Sequence, residues 1–263
     1  MTQGPGVVPF TQRTPRVIAA RKLQRRRERD EAQLFLAEGP QAVRSALASG
    51  AVRELFGTAS ALSLFAGVPA SVVDDGGLAA LAETPHPQGV VAVCSFVDVP
   101  LSSIGSPRLA AVLVDVSDPG NAGTVLRTAD AAGAGAVVFA GDTVDPYNGK
   151  CVRSSAGSLF HVDVVRGADP LSSVAFLRSA GLRVLAAAPR GDVDLFDYDD
   201  LDRPTAWLFG SEAHGLPPAV AEAADARVRI PIHGQAESLN LAAAAAVCLY
   251  SSARALRARL PGL

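Results

Sequence analysis

The chain has 263 residues, of which 49% are apolar and 19% charged, with a formal net charge of -2. That balance excludes an intrinsically disordered polymer and suits one large domain or two modest ones. No apolar run free of charges and breakers reaches the ~18 residues of a membrane span, and the N-terminal residues lack signal-peptide segments, so a cytoplasmic protein with no membrane partner is expected.

Cys94, Cys151 and Cys248 are scattered and form no CxxC pair or Cys/His cluster. Reduced thiols, some of them core filler, are expected, with no metal site and no disulfide framework. Of the 24 basic residues only Lys22 and Lys150 are lysine. An arginine is therefore weak evidence for a site in this chain, and a retained lysine slightly stronger.

Residues 1–13 are rich in Gly, Pro, Thr and Gln and read as a disordered arm. From Val17 to Gln33 the pattern predicts one helical stretch carrying Arg21, Lys22, Arg25, Arg26, Arg27 and Arg29, with a thin apolar stripe at Ile18 and Leu23. Two readings stay open for it, a solvated face and a phosphate-contacting surface. Strands are predicted at Leu34–Glu38, Val52–Phe56 and Val90–Phe96, with helices from Gly39-Pro40 to Ala48 and at Leu78–Leu81. Residues 14–99 thus read as a small α/β domain. Residues 100–107 have linker composition, and 108–263 form a second domain.

In that second domain, buried strands are predicted at Leu109–Val114, Ala136–Ala140, Val162–Val165, Val184–Ala187, Ala206–Phe209 and Val228–Ile230. Helical patterns at Ala122–Ala132, Cys151–Leu159, Leu171–Ala180 and Pro218–Ala224 lie between them, and Leu239–Ala255 follows. Short continuous apolar strands alternating with helices imply an α/β fold with a parallel sheet covered on both faces. Gly133-Ala134-Gly135 is not a dinucleotide-binding fingerprint, because it ends a helix and enters a strand.

Three polar islands follow strands: Asn121 to Ala129, Gly210-Ser-Glu-Ala-His-Gly215, and Ser238-Leu239-Asn240. Loops at strand ends are where α/β folds gather ligand groups. Each island also has a structural reading. Asn121 and Ser238 are fair N-caps, Glu212 could cap the helix after Pro217, and Arg127 could be an ordinary surface arginine. Lys150 and Arg153, near the start of a small-residue helix, make a phosphate site or simply accompany close helix packing. His86, His161, His214 and His233 show no triad arrangement.

Taken in order, the three islands and the Asp145–Gly157 stretch resemble the motifs of the SpoU (TrmH-like) branch of the SPOUT RNA methyltransferases, over roughly Leu109 to Arg257. The preceding unit, with Glu38-Gly39, Val43 and Ala46, resembles a ribosomal-protein-L30e-like substrate-binding domain. The resemblance implies a C-terminal SPOUT domain with a trefoil knot, a homodimer, and S-adenosylmethionine-dependent methylation of a ribose 2′-hydroxyl, with ribosomal RNA favoured. It implies catalytic roles for Asn121, Arg127, Glu212, Ser238 and Asn240, and a cofactor pocket of Leu208, Gly210, Glu212, Ile230, Ile232, Ser238 and Leu239. RNA contacts are expected from Arg21, Lys22, Arg25, Arg26, Arg29, Lys150 and Arg153. The family's proposed general base falls at Arg127. A guanidinium is too basic for that at neutral pH, so Arg127 is read here as a phosphate clamp and oxyanion stabiliser. The alternative is a catalytically silent RNA-binding or ribosome-assembly factor on the same fold.

Overall fold

The computed structural model describes residues 8–258. In chain order the first part runs α1 (Pro15–Lys22), α2 (Arg26–Ala32), β1 (Leu34–Glu38), α3 (Pro40–Ala48), β2 (Val52–Gly57), α4 (Ala59–Leu62), β3 (Ser71–Val72), α5 (Asp75–Leu81) and β4 (Val90–Ser95). The rest runs β5 (Leu109–Val114), α6 (Pro119–Ala131), β6 (Ala136–Ala140), α7 (Gly149–Ser155), β7 (Asp163–Ala168), α8 (Pro170–Ser179), β8 (Arg183–Ala187), β9 (Val193–Asp194), β10 (Thr205–Phe209), α9 (Pro218–Glu222), β11 (Ala226–Arg229) and α10 (Leu241–Ala258).

The described residues separate into two compact units. One holds the chain up to Phe96 plus Tyr147–Phe160; the other holds Val97–Pro146 and the chain from His161 onward. The division thus falls before the expected linker at 100–107, and α7 joins the first unit rather than staying with 108–263. The cause is aromatic. Tyr147 stacks on Phe96 with ring centroids 4.0 Å apart and lies 4.6 Å from Phe35, while Phe160 stacks on Phe35 at 5.9 Å. Phe35 and Tyr147 are fully buried in this cluster, and burying such rings favours the placement strongly. Arg153 adds ion pairs to Glu83 at 3.0 Å and Glu38 at 3.5 Å.

The first unit is a four-stranded sheet in the order β1-β4-β2-β3, with β4 antiparallel to both β1 and β2 and β3 parallel to β2. Val17, Leu23, Phe56, Leu78, Leu81, Val91 and Val93 form a core on it. The single helix expected over Val17–Gln33 is two. Arg29 is buried and its Nη1 donates to the Leu23 and Gln24 carbonyls at 3.1 and 3.0 Å. Gln24 donates to the Ala80 and Leu81 carbonyls. The Arg29 bonds take over the Leu23 and Gln24 carbonyls, which an uninterrupted helix would satisfy internally. Of the expected disordered arm, residues 1–7 lie outside the described residues. Phe10 is tied in by a bridge to Val73 and lies under the Arg16 guanidinium.

The second unit is a seven-stranded sheet in the order β7-β6-β5-β10-β8-β11-β9, with every pair parallel. Successive residues of β10 face opposite sides, as a strand requires. Ala206 and Leu208 pack with Val174, Leu177 and Val220 of α8 and α9. Trp207 is buried on the other face, where its indole N–H donates to Ser252 of α10 at 2.9 Å. The chain turns to β6 and β7 on one side of β5 and to β10, β8, β11 and β9 on the other. The boundary between β5 and β10 is therefore a topological switch point, where open α/β sheets bind ligands beyond the strand C-termini. No helix among the described residues is long and apolar enough to cross a membrane.

Candidate active site

The three polar islands meet in the second unit at that switch point. β5 and β10 run in register, with Leu113 opposite Phe209, so the loops leaving them start side by side. After β5, Asp115 takes a positive φ of 54° and its carboxylate accepts the Asp142 N–H at 2.8 Å. Buried Thr143 accepts the Val116 N–H at 3.3 Å and bonds the Leu113 and Ala140 carbonyls. This support carries the chain to Asp118, whose side chain accepts the Asn121 N–H at 2.7 Å and caps α6. Asn121 is therefore not the cap expected from the sequence. Its side chain is released for the site.

Asn121 Nδ2 donates to Glu212 Oε1 at 2.9 Å, and Asn240 Nδ2 donates to Asn121 Oδ1 at 3.2 Å. Asn240 Oδ1 in turn accepts the Ala242 and Ala243 N–H groups at 2.9 and 3.4 Å. The cap of α10 is thus Asn240, not Ser238, which explains a poor helix former at that position. One polarised chain runs from the α10 N-terminus through Asn240 and Asn121 to the Glu212 carboxylate. It joins all three islands.

Beside this chain lies a cleft of about 850 Å³, lined by the ends of β8, β10 and β11 and by residues that follow them. That is within the range of small-molecule sites. Gly210, Glu212, Ile230, Ile232, Ser238, Leu239 and Asn240 all line it. Gly210 permits the fold of its loop: a Cβ there would lie 2.2 Å from the Gly215 carbonyl carbon and 2.3 Å from the Leu216 nitrogen. Leu208, expected in the pocket, is instead in the α8/α9 core, and its neighbour Phe209 lines the cleft. Strand alternation is the reason. The sequence reading also missed Ala187, Ala188, Pro189 and Arg190, which line the cleft after β8. The signal was present, since a proline and polar turn follow an apolar strand there as in the three islands.

Arg127 is exposed on α6, six residues past Asn121, and is not among the cleft-lining residues. Arg21, Lys22, Arg25 and Arg26 are exposed in the first unit, as is Lys150 on α7. Arg29 is spent on backbone carbonyls, so its expected RNA contact is replaced by a structural one. Arg153 is likewise committed to Glu38 and Glu83. Two bonds from Arg227 of β11 to Asp192 raise the pKa of the guanidinium above its ordinary value. No cluster of three metal-ligating side chains occurs among the described residues.

The SpoU rRNA Methylase family model matches residues 108–250. The chain belongs to that family. An MRM3-like substrate binding domain model matches residues 14–92. The 23S rRNA (guanosine(2553)-2′-O)-methyltransferase of Bacillus subtilis is 36% identical over 88% of this chain and 92% of its own length. An AdoMet-bound rRNA methyltransferase from Sinorhizobium meliloti superposes with a TM-score of 0.84 at 34% identity, over 95% of this chain and 98% of that one. The SpoU methyltransferase AviRb from Streptomyces viridochromogenes, in complex with AdoMet, gives 0.81 at 33% identity, over 92% and 98%. The SpoU match spans the three islands, the cleft and most of α10. The substrate-binding match spans nearly all the first unit that precedes Phe96.

Proposed function

We propose that this SpoU-family protein transfers a methyl group from S-adenosylmethionine to a ribose 2′-hydroxyl of ribosomal RNA. The observation that carries the reading is the hydrogen-bond chain Asn240–Asn121–Glu212 at the edge of the cleft. Three separate loops have their side chains ordered by one another, as a reaction needing in-line geometry demands. The cleft fits the cofactor: its volume suffices, its walls are Phe209, Ile230, Ile232 and Leu239, and close backbone approach is possible at Gly210. Gly210, Ile230, Ile232, Ser238 and Leu239 would hold it.

When bound, S-adenosylmethionine supplies an electrophilic methyl group on a sulfonium sulfur. The protein's own task is then to place a weak nucleophile. Asn121 and Asn240 fix the Glu212 carboxylate at the cleft mouth, where it orients the substrate. Ser238, which also lines the cleft, would supply a hydroxyl there. Arg127 clamps the neighbouring phosphate and stabilises negative charge developing on the ribose oxygen. The family's homodimer would let Arg127 act from one subunit on the cleft of another, which suits its absence from the lining of its own.

The proposed trefoil knot draws support from connectivity. β11 inserts between β8 and β9, so the short loop 188–192 spans the end of β11 before α10 follows. The first unit, with its exposed basic residues, is assigned RNA binding through phosphates and shape.

Incubating the protein with labelled S-adenosylmethionine and ribosomal RNA, followed by nucleoside digestion, tests the reading. Label in a 2′-O-methylated nucleoside is expected. Label in a base would overturn the ribose assignment, and RNA binding without transfer would indicate a catalytically silent factor.

A further inference from the structure

Among the described residues, the ionisable side chains lining the cleft are Arg190, Glu212, His214 and Glu237. Arg190 is the one guanidinium among them. It is exposed and forms no hydrogen bond or ion pair among the described residues. Its neighbours are otherwise engaged. Arg227 makes two bonds to Asp192 at 2.8 and 3.0 Å, and Arg229 donates to the Gly191 carbonyl at 3.2 Å and faces Asp194 at 3.8 Å.

The turn that carries Arg190 is held firmly. The Ala188 N–H donates to Val228 O at 2.9 Å, and the Gly191 N–H donates to Ala188 O at 3.0 Å. Gly191 presses on the backbone of β11 so closely that a Cβ would lie 2.5 Å from the Arg229 nitrogen. The backbone of this uncommitted cation is thus preorganised at the wall of the cleft, which lowers the entropic cost of using it.

We propose that Arg190 holds the carboxylate of the methionine moiety of S-adenosylmethionine, a reading that rests on the proposed function above. The charges of cofactor and cleft match. The cofactor carries one carboxylate, one ammonium and one sulfonium. The cleft offers one guanidinium and two carboxylates, Glu212 and Glu237. A planar guanidinium also matches a carboxylate by two parallel hydrogen bonds, which an ammonium side chain cannot do. An RNA phosphate is the weaker candidate, because Arg190 belongs to the wall of the small-molecule cleft itself.

Titration calorimetry on the full chain separates these outcomes, using S-adenosylmethionine, S-adenosylhomocysteine and decarboxylated S-adenosylmethionine as ligands. Arg190→Ala is expected to weaken the two carboxylate-bearing ligands about 10- to 100-fold, the range of a charged hydrogen-bonded contact. The decarboxylated ligand should bind wild type and Arg190→Ala alike. Arg190→Lys, with charge but no fork, should fall between. Equal weakening of all three ligands, or of none, would overturn the assignment. Unchanged cofactor affinity with weakened RNA binding would reassign Arg190 to a phosphate. If the wild-type protein binds none of the three ligands, the proposed function itself fails, and that result is distinct from any effect of Arg190.

Discussion

Asn240 performs two tasks with the two ends of one amide, and they can be separated. Its Oδ1 caps α10 and its Nδ2 donates to Asn121. Asp in its place keeps the acceptor, which a helix N-terminus favours, but lacks the donor. Asn240→Asp should therefore retain the thermal midpoint while losing most transfer activity. Asn240→Ala should lose activity and also about 1 kcal/mol of stability with the cap. A drop in midpoint for Asn240→Asp as large as for Asn240→Ala would mean that the amide donor is structural. Arg127 offers the complementary case, since it is exposed and does not line the cleft. Arg127→Ala should lower turnover by about 10²- to 10³-fold, the usual loss for a group stabilising transition-state charge. Cofactor affinity by calorimetry should be nearly unchanged, and a large loss of that affinity would remove Arg127 from its assigned role.

At the scale of elements, the loop after β10 depends on close backbone approach at Gly210. Gly210→Ala would force the Gly215–Leu216 backbone away by an ångström or more, since separations near 2.2 Å must open to ordinary ones. Cofactor binding should be lost while the sheet remains, which circular dichroism beside calorimetry would show. The buried thiols of β4 and α10 give a pH effect. Burial pushes Cys94 and Cys248 up to about 12, from 9.0. The unfolded chain releases these protons above pH 9 while the folded chain retains them, so folding stability falls as pH rises from 9 toward 12. The double variant Cys94→Ala/Cys248→Ala should show a shallower loss of thermal midpoint between pH 8 and about 10.5; an unchanged slope would place the alkaline sensitivity elsewhere.

Such elements are legible in the sequence to different degrees. β5 and β6 have the bounds their residues predict, because continuous apolar runs between turns leave few alternatives. The caps differ from expectation, Asp118 for Asn121 and Asn240 for Ser238, because several capping residues stand in each loop and only side-chain geometry chooses among them. Arg29 reads as a surface cation because nothing local in its sequence reveals that it faces the Leu23 and Gln24 carbonyls just past α1.

For the whole molecule, the least local interaction has the largest consequence. Tyr147 and Phe160 are remote in sequence from the rest of the first unit, yet they complete its aromatic cluster with Phe35 and Phe96. The chain therefore passes between the two units at Phe96–Val97, at Pro146–Tyr147 and at Phe160–His161. Cutting away the N-terminal residues is thus an unsound test of RNA binding, because it strips Phe35 and Phe96 from Tyr147 and leaves buried aromatic surface in water. Charge removal on the intact chain avoids this. Arg21, Lys22 and Arg25 are exposed and form no ion pair among the described residues, whereas Arg27 pairs with Glu31 at 2.8 Å. Replacing the first three with Gln should weaken ribosomal RNA binding and flatten the dependence of log affinity on log salt by about 0.7–0.9 for each phosphate that is no longer neutralised. Arg27→Gln should do little, because its charge is already engaged locally, and S-adenosylmethionine affinity should not change in either variant. An unaltered salt slope in the triple variant would remove the basic residues around α1 from the RNA surface and leave RNA recognition to other parts of the molecule.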